Sequence, residues 1–158
     1  MLKIAFVCHG NICRSPMAEF VFKKIIKDLN LEGKYSAVSR ATSDEEILWG
    51  VGNPMHRGTV GELKKNNIPF DESKRAVRLK KSDYGEFDLF LGMDGANIRN
   101  MHKIFGSDTD GKIKLLLDYT NKAGEYVADP WYTGDFKTTY EDIEKGILGF
   151  LRAQGDIK

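Results

Sequence analysis

The fold follows from one stretch near the N-terminus, Val7-Cys8-His9-Gly10-Asn11-Ile12-Cys13-Arg14-Ser15-Pro16. The apolar residues 2–7 before it have the composition of a buried strand, and residues 17–29 after it carry apolar side chains at helical spacing. Pro16 suits the first turn of that helix, because its ring presets the helical φ angle and the N–H that it lacks would have no partner there. The stretch is therefore predicted to be a loop that joins a strand to a helix.

The five residues between Cys8 and Arg14 have the composition of a loop that surrounds an anion. If they curl around one point, their backbone N–H groups and the N-terminus of the helix direct partial positive charge at its centre. Gly10 supplies backbone freedom, and Asn11 tolerates left-handed dihedral angles and can brace the loop. The predicted phosphate-binding loop consists of His9, Gly10, Asn11, Ile12, Cys13, Arg14 and Ser15.

The two ends of this loop carry residues suited to chemistry on a phosphate. A helix N-terminus and a nearby cation favour the thiolate of a cysteine, which is the nucleophilic form. Arg14 offers a planar guanidinium that binds two phosphate oxygens at once, which the point charge of a lysine does less well. Cys8 is therefore the predicted nucleophile and Arg14 the predicted clamp, and the Ser15 hydroxyl is expected to stabilise the sulfur as a leaving group.

Cys8 to Ser15 fits the pattern Cys-x5-Arg-Ser, and a second motif, Asp129-Pro130-Trp131-Tyr132, lies late in the chain. With these motifs at these positions, the sequence resembles the low-molecular-weight protein tyrosine phosphatases over nearly its whole length. The resemblance implies metal-independent hydrolysis of phosphotyrosine and aryl phosphates through a phosphocysteine intermediate, with no cofactor. It also implies phosphotyrosine-containing proteins as substrates, and inhibition by phosphate and vanadate.

An aspartate before a proline, taken alone, is most often a turn residue. With a phosphate-binding loop in the same chain, a catalytic role is favoured over a simple turn. Pro130 keeps Asp129 out of the helical region, so its carboxyl group can be held over the site. Asp129 is the predicted general acid and base. Three aromatic side chains have a core position as the plain alternative, but we predict that they line the substrate cleft: Trp49, Trp131 and Tyr132.

The composition sets limits on the class of protein. A chain of 158 residues is one domain of ordinary size, so residues 1–158 are predicted to form a single domain. Its 24 basic and 23 acidic residues give a net charge of +1, which argues against nucleic acid as a partner. No run of 18 apolar residues and no signal-peptide pattern is present, so we expect no membrane partner and a cytoplasmic monomer. The two cysteines argue against a disulfide framework and a four-ligand zinc site, so no metal is predicted.

Along the chain, apolar runs of strand length alternate with helical patterns, which is typical of a parallel sheet covered by helices. The predicted strands are residues 2–8, 35–41, 87–93 and 113–117, and the predicted helices are residues 17–29, 55–66, 95–105 after an Asp94 cap, and 136–154. These elements predict an α/β three-layer sandwich with a four-stranded parallel sheet in the order 2-1-3-4, of the flavodoxin-like or phosphotyrosine phosphatase I-like kind. Ligands bind such sheets beyond the carboxyl ends of the strands, which is where the first loop lies.

Two long segments break the alternation. Residues 41–54 are rich in helix-breaking and strand-breaking residues and are predicted to contain no regular element. Residues 118–136 also lack a clear pattern, and a loop of this length in a compact domain is usually functional or disordered. The Asp-Pro motif within the second segment favours a functional loop.

Cys13 and Ser39 are predicted to support the loop. Cys13 is either a packing residue or a thiol that traps oxidised Cys8 as a disulfide, and the resemblance favours this redox role. Ser39, at the end of the second strand, is predicted to bond Asn11 and so to hold the loop shape together with Ser15. Many family members have a histidine in the segment that would make a similar contact, whereas residues 70–73 here contain none.

The remaining polar candidates have plainer interpretations. His9 lies inside the loop, where it either supports the nucleophile or points to solvent, and His56 and His102 are predicted to be surface or structural residues. Basic residues recur through the stretch 74–81, and a solvated face is favoured over a docking site for an acidic phosphoprotein: Lys74, Arg75, Arg78, Lys80 and Lys81.

Three other functions fit parts of the pattern. An arsenate reductase of this fold requires a distal cysteine pair that the chain lacks. A phosphoarginine phosphatase would be expected to have threonine at the position of Ile12, whose branched apolar side chain suits an aryl phosphate. A non-catalytic phosphate-binding module would be expected to lack Cys8 or Asp129. The sequence therefore favours a phosphotyrosine phosphatase.

Overall fold

Four parallel strands form the central sheet of the computed structural model, which describes residues 1–158. In chain order the elements are β1 (Leu2–Cys8), α1 (Arg14–Asp28), β2 (Tyr35–Ala41), β3 (Ile47–Leu48), β4 (Val51–Gly52), α2 (Arg57–Lys65), α3 (Asp83–Glu86), β5 (Leu89–Gly92), α4 (Gly95–Phe105), β6 (Ile113–Leu115), a 3-10 turn (Leu116–Tyr119), α5 (Pro130–Thr133) and α6 (Phe136–Ala153). The strands of the main sheet lie in the order β2-β1-β5-β6, which confirms the predicted order 2-1-3-4.

Strand β1 lies between β2 and β5 and pairs with both in parallel register. Its last residue, Cys8, is opposite Ala41 of β2, and Val7 is opposite Gly92 of β5. The strand order reverses at β1, because the chain adds β2 on one side of it and β5 on the other. The carboxyl end of β1 is therefore the position at which parallel α/β sheets bind ligands.

Alternating side chains of β1 enter two separate cores. Phe6 packs on one face with aromatic residues of α1 and α6, and its ring lies 5.5 Å from that of Phe22. On the other face, Val7 belongs to a smaller cluster with Phe90 and with Phe105 of α4. A strand buried on both faces is expected at the centre of a parallel sheet. The result is three layers, with the Cys8 end of β1 at their common edge.

Several segments differ from the sequence prediction. Residues 116–119, predicted as a strand end and the start of a loop, form the 3-10 turn, and residues 130–133, predicted as loop, form α5. Residues 41–54 contain a regular element after all, a short antiparallel hairpin in which Ile47 of β3 pairs with Gly52 of β4. Its turn residues Trp49 and Gly50 have φ angles of 53° and 76°, as a tight two-residue hairpin turn requires. The turn was not predicted from the sequence because its first position holds tryptophan instead of the usual asparagine or aspartate. The short helix α3 (Asp83–Glu86) was also not predicted.

Helix α4 begins where the sequence indicated. Asp94 accepts a hydrogen bond from the backbone N–H of Asn97, and the Asn97 side chain accepts one from the backbone N–H of Asp94. This reciprocal pair satisfies two N–H groups that a helix N-terminus otherwise leaves without partners. None of the helices combines the length and apolarity needed to cross a lipid bilayer.

Candidate active site

The loop from Cys8 to Arg14 curls around the Cys8 sulfur. Asn11 takes the left-handed conformation at φ 60°, and its backbone N–H donates to Cys8 Sγ at 3.3 Å. Helix α1 follows immediately, and its N-cap residue Cys13 makes no side-chain capping bond. The first turn of the helix also contains no acidic residue. The free N–H groups of this turn therefore remain available to an anion in the loop.

Asn11 braces the loop through both ends of its side-chain amide. Its Oδ1 accepts hydrogen bonds from the Lys74 ammonium at 3.1 Å and from the backbone N–H of Val77 at 3.0 Å. Two donors on this side identify the oxygen, so the amide nitrogen must face the other way. Asn11 Nδ2 donates from there to Ser15 Oγ at 2.7 Å.

The Ser15 hydroxyl links this amide to the nucleophile. Ser15 Oγ lies 3.0 Å from Cys8 Sγ and accepts a hydrogen bond from Asn11, which leaves its own proton free to be donated. The other acceptor within reach, the Arg40 carbonyl, is more distant at 3.5 Å. The sulfur is therefore the closer acceptor for this proton, and Ser15 is oriented to stabilise a thiolate.

Arg14 is 3% exposed and joins three distant parts of the chain at the site. Its Nη1 donates to the Val127 carbonyl at 3.1 Å, while its Nη2 lies 2.8 Å from Asp94 Oδ2 and 3.3 Å from Asp129 Oδ2. The sequence identified Asp94 only as a helix cap and missed its bond to Arg14. A usable signal was its position, because Asp94 directly follows a strand that neighbours β1 in the predicted order.

Asp129 has extended backbone dihedrals, as expected before Pro130. Its Oδ1 accepts from the Trp131 backbone N–H at 3.1 Å, and its Oδ2 faces Arg14. The structure thus brings Cys8, Arg14 and Asp129 to one cleft, although Asp129 is 121 residues from Cys8 in sequence. This arrangement is the one that the two motifs predicted.

Tertiary contacts hold the segment that carries Asp129. The Val127 N–H donates to the Met93 carbonyl at 3.0 Å, and the Thr139 hydroxyl donates to the Ala128 carbonyl at 2.7 Å. The Ala128 N–H donates to Asp142 Oδ2 at 3.1 Å. Two of these bonds reach helix α6 and one reaches Met93, which directly follows β5, so the position of Asp129 depends on how these elements pack together.

The cleft has a volume of about 370 Å³. It is lined by Cys8, His9, Gly10, Asn11, Ile12, Cys13, Arg14, Glu45, Glu46, Asp94, Ala96, Asn97, Asp129, Trp131 and Tyr132. The sequence analysis missed Glu45 and Glu46, which enter because the hairpin beside them folds back over the loop. Neither had a motif that could have marked it.

The aromatic residues divide into two groups. Trp131 and Tyr132 line the mouth of the cleft, with 63% and 83% of their surface exposed. Trp49 is fully exposed and does not contribute to the lining. The prediction of Trp49 as a wall of the cleft was therefore wrong, because the tight turn between β3 and β4 directs this residue outward.

The three histidines differ in their surroundings. His9 is half-exposed and lies 3.0 Å from Glu45, whereas His102 is exposed on α4. His56 caps α2 by accepting the Gly58 N–H at Nδ1, and its backbone N–H donates to the Ile12 carbonyl. Its ring also stacks on Phe136 at 5.2 Å. His56 is thus a structural residue, as predicted, and it has partners that the sequence did not identify.

Cys13 is a buried thiol, and neither it nor Cys8 forms a disulfide in this structure. Burial raises the pKa of Cys13 to about 12, and the negative charges of Cys8 and Asp129 act in the same direction. Cys13 therefore keeps its proton at neutral pH. Its predicted redox role requires it to react from this protonated state.

Lys74 makes the contact to Asn11 that the sequence analysis predicted for Ser39. The predicted bond from Ser39 to Asn11 is absent, because the Ser39 hydroxyl instead donates to Glu19 Oε1 at 2.7 Å. Lys74 leaves the predicted solvated face and donates to Asn11 Oδ1 and, at 3.4 Å, to the Ser39 carbonyl. The other basic residues of the stretch 74–81 are exposed. No three potential metal-ligating side chains come close enough together to hold an ion.

Comparison with known proteins gives a consistent result. The family model described as low molecular weight phosphotyrosine protein phosphatase matches residues 3–156. The low molecular weight protein-tyrosine-phosphatase YfkJ of Bacillus subtilis is 38% identical over 152 residues, which cover 96% of this chain and 94% of the relative. The protein-tyrosine-phosphatase PtpA of Staphylococcus haemolyticus is 35% identical over 100% of this chain and 99% of its own.

Solved structures agree. The crystal structure of YfkJ superposes with a TM-score of 0.88 at 36% identity and covers 100% of this chain and 98% of that one. The low molecular weight protein tyrosine phosphatase SP-PTP from Streptococcus pyogenes gives a TM-score of 0.83 at 40% identity, with 97% and 93% coverage.

Proposed function

The chain belongs to the low molecular weight protein tyrosine phosphatase family, and from that premise we propose how its residues divide the reaction. It is a cysteine-dependent protein-tyrosine-phosphatase whose Cys8 and Arg14 fit a phosphocysteine mechanism. One observation carries the division of roles. The Cys8 sulfur, bonded by Asn11 and Ser15, shares a cleft with Arg14 and Asp129.

In the first step, the Cys8 thiolate attacks phosphorus and a sulfur–phosphorus bond forms. The bond from phosphorus to the tyrosine oxygen breaks, and the protonated Asp129 carboxyl gives its proton to that oxygen. Arg14 and the N–H groups of the loop hold the three non-bridging oxygens while charge spreads over them. The products are the dephosphorylated tyrosine residue of the substrate and phosphocysteine, with Asp129 left as a carboxylate.

In the second step, water attacks the phosphorus of phosphocysteine. The Asp129 carboxylate takes a proton from this water as the sulfur–phosphorus bond breaks, which restores the acid for the next turnover. The Ser15 hydroxyl stabilises the departing Cys8 thiolate, because its proton is already directed at the sulfur. The reaction balances with water alone, so no metal or cofactor is needed. Phosphate and vanadate, which match the shape of the reacting group, are inhibitors on this scheme.

The substrates are proteins that carry phosphotyrosine, as the family implies. Trp131 and Tyr132 line the cleft with aromatic side chains that suit a phenyl ring, and the apolar Ile12 also contributes to the lining. Two free cysteines within one loop suit a reducing compartment, which supports a cytoplasmic location. We propose one domain over residues 1–158 that acts as a monomer, since Cys8, Arg14 and Asp129 of a single chain already meet in one cleft.

Hydrolysis of para-nitrophenyl phosphate with and without chelator tests this scheme. We expect turnover to persist in chelator, to be inhibited by vanadate, and to be absent from the Cys8→Ser variant. Phosphopeptides that carry phosphotyrosine, phosphoserine or phosphoarginine then test the substrate class. Preference for phosphoarginine would contradict the tyrosine assignment, and binding of phosphopeptide without turnover would identify a non-catalytic module.

A further inference from the structure

Lys74 is a partly buried lysine with no carboxylate partner. Its neighbours in the basic stretch, Arg75, Arg78 and Lys80, are exposed, whereas the Lys74 side chain turns inward. Its ammonium bonds only neutral oxygens, Asn11 Oδ1 and the Ser39 carbonyl, and it takes part in no salt bridge. Burying a cation without a paired anion is costly, so this position requires an explanation.

The nearby acidic residue, Glu19, does not provide it. Glu19 Oε2 is paired with Lys23 at 2.6 Å, and its Oε1 accepts the Ser39 hydroxyl. The pKa of Lys74 is lowered, mainly by burial and in part by the positive charges of Arg40 and Lys23, while Glu19 and the Cys8 thiolate act in the opposite direction. Glu19 is thus the stronger of the two negative charges that act on Lys74, but it is already bonded by Lys23 and Ser39. The hydrogen bonds that the ammonium makes lead toward the second negative charge, the thiolate.

A continuous chain of hydrogen bonds leads from Lys74 to that thiolate. The ammonium donates to Asn11 Oδ1, Asn11 Nδ2 donates to Ser15 Oγ, and the Ser15 hydroxyl is directed at Cys8 Sγ. Every donor points the same way, from the cation toward the sulfur. Hydrogen bonds aligned in this manner polarise one another, and a charge at the donor end strengthens the effect at the acceptor end.

We propose that Lys74 is a positioning residue whose positive charge acts through Asn11 and Ser15 to stabilise the Cys8 thiolate. It does not line the cleft and touches no reacting atom. This role rests on the proposed function only for its catalytic consequence, because the stabilised thiolate is a property of the protein without substrate. The charge, and not merely a hydrogen bond to Asn11, is the feature that matters.

Three variants separate charge from hydrogen bonding. Lys74→Arg keeps the cation, Lys74→Gln keeps an N–H donor without the charge, and Lys74→Met removes both. Lys80→Gln is the matched control, since it removes one charge from the exposed part of the same stretch. Circular dichroism and thermal unfolding establish that each variant is folded, and the Gln and Arg variants decide the question if the Met variant is not.

The main measurement is the rate at which iodoacetate alkylates Cys8, followed from pH 5 to 9 without substrate. We expect the Lys74→Gln and Lys74→Met rates to fall about tenfold on the acidic side and to approach the wild-type rate at high pH, because a nearby opposite charge favours the ionised form. Lys74→Arg and Lys80→Gln should follow the wild type. The acidic limb of kcat/KM for para-nitrophenyl phosphate should move in parallel.

Two outcomes would overturn the proposal. A wild-type pH profile for Lys74→Gln would mean that the charge is not needed, and an equal loss at every pH would indicate only a distorted loop. A wild-type protein that hydrolyses no phosphotyrosine, but whose alkylation still responds to Lys74, would remove the proposed function and leave the role of Lys74 intact.

Discussion

The phosphate-binding loop and the segment that carries Asp129 form the two halves of the same active site in different ways. Within the loop, Cys8, Asn11 and Ser15 bond one another over a span of seven residues. The Asp129 segment is held instead by bonds to Met93, Asp142 and other distant residues, and its aromatic side chains are exposed. The hydrogen bonds to the Cys8 sulfur come from within the loop, although Lys74 and Val77 also hold Asn11. The acid is placed by bonds from α6 and by the bond from Val127 to Met93.

This difference predicts which step of the reaction a given substitution should slow. Changes that weaken the bonds from α6 are expected to disturb proton transfer from Asp129 before they disturb attack by Cys8. The two halves meet at Arg14, which bonds Asp94, Asp129 and the Val127 carbonyl while belonging to the loop. Measurements that report on one half alone can therefore test whether the two halves respond independently to substitution.

The largest loss of activity is expected from a substitution in the phosphate-binding loop. Cys8→Ser should reduce kcat on the order of 10⁴-fold or more, because the serine hydroxyl has no nearby base that would activate it. The fold should be unchanged, as judged by circular dichroism, and vanadate binding should persist because the loop N–H groups remain. Residual turnover within a hundredfold of wild type would assign the nucleophile elsewhere.

Asp129→Ala should act only on the other half. We expect kcat to fall about 10²–10⁴-fold, the usual contribution of general acid–base catalysis. The loss should be greater for phenyl phosphate than for para-nitrophenyl phosphate, since the nitrophenolate leaves without needing a proton as strongly. Alkylation of Cys8 by iodoacetate should be unaffected. A variant within a few-fold of the wild type on both substrates would exclude Asp129 from this role.

Substitution of Cys13 tests whether the loop protects its own nucleophile from irreversible oxidation. Peroxide should oxidise Cys8 to the sulfenic acid, which condenses with the Cys13 thiol to give a disulfide and water. Dithiol should then restore the wild type, while Cys13→Ser should recover about tenfold less activity after the same exposure. Because the pKa of Cys13 is raised to about 12, disulfide formation should accelerate as the pH rises from 7 to 10. Full rescue of Cys13→Ser by dithiol would disprove the redox role.

The smallest effect concerns the anchor of the acid segment. Thr139→Val removes the hydroxyl that donates to the Ala128 carbonyl, a bond worth ~1 kcal/mol, and kcat should fall about fivefold. Thr139→Ser keeps the hydroxyl and is the control. Alkylation of Cys8 should be the same in both variants. If Thr139→Val instead slowed alkylation as much as turnover, the two halves would not be independent.

The contrast between the halves also explains what the sequence could predict. Strand β1, the loop and helix α1 were recognisable because Asn11 and Pro16 serve local backbone needs at fixed spacing. The sheet order followed from the alternation of elements. Asp129 was identified through its motif, but the bonds that place it were not, since they depend on how α6, Met93 and Arg14 pack around its segment.

Other features depended on three-dimensional position alone. Lys74 lies among exposed basic residues, and nothing in the pattern of that stretch distinguishes the one that turns inward. Asp94 had a local reason to be present as a helix cap, which concealed its second bond to Arg14. Trp49 was misassigned because an aromatic residue seldom occupies a left-handed hairpin turn.

The positions of the two tryptophans also determine what the intrinsic fluorescence of the protein reports. The chain has only Trp49 and Trp131, and neither is buried in the core. Global unfolding should therefore change the wavelength of tryptophan fluorescence very little, because both indoles are already exposed to water in the folded state. Trp131 stands at the mouth of the cleft, so its emission should instead respond when vanadate or a phosphopeptide binds. The intrinsic fluorescence of this phosphatase is thus a signal of site occupancy, and circular dichroism is the signal of its folding.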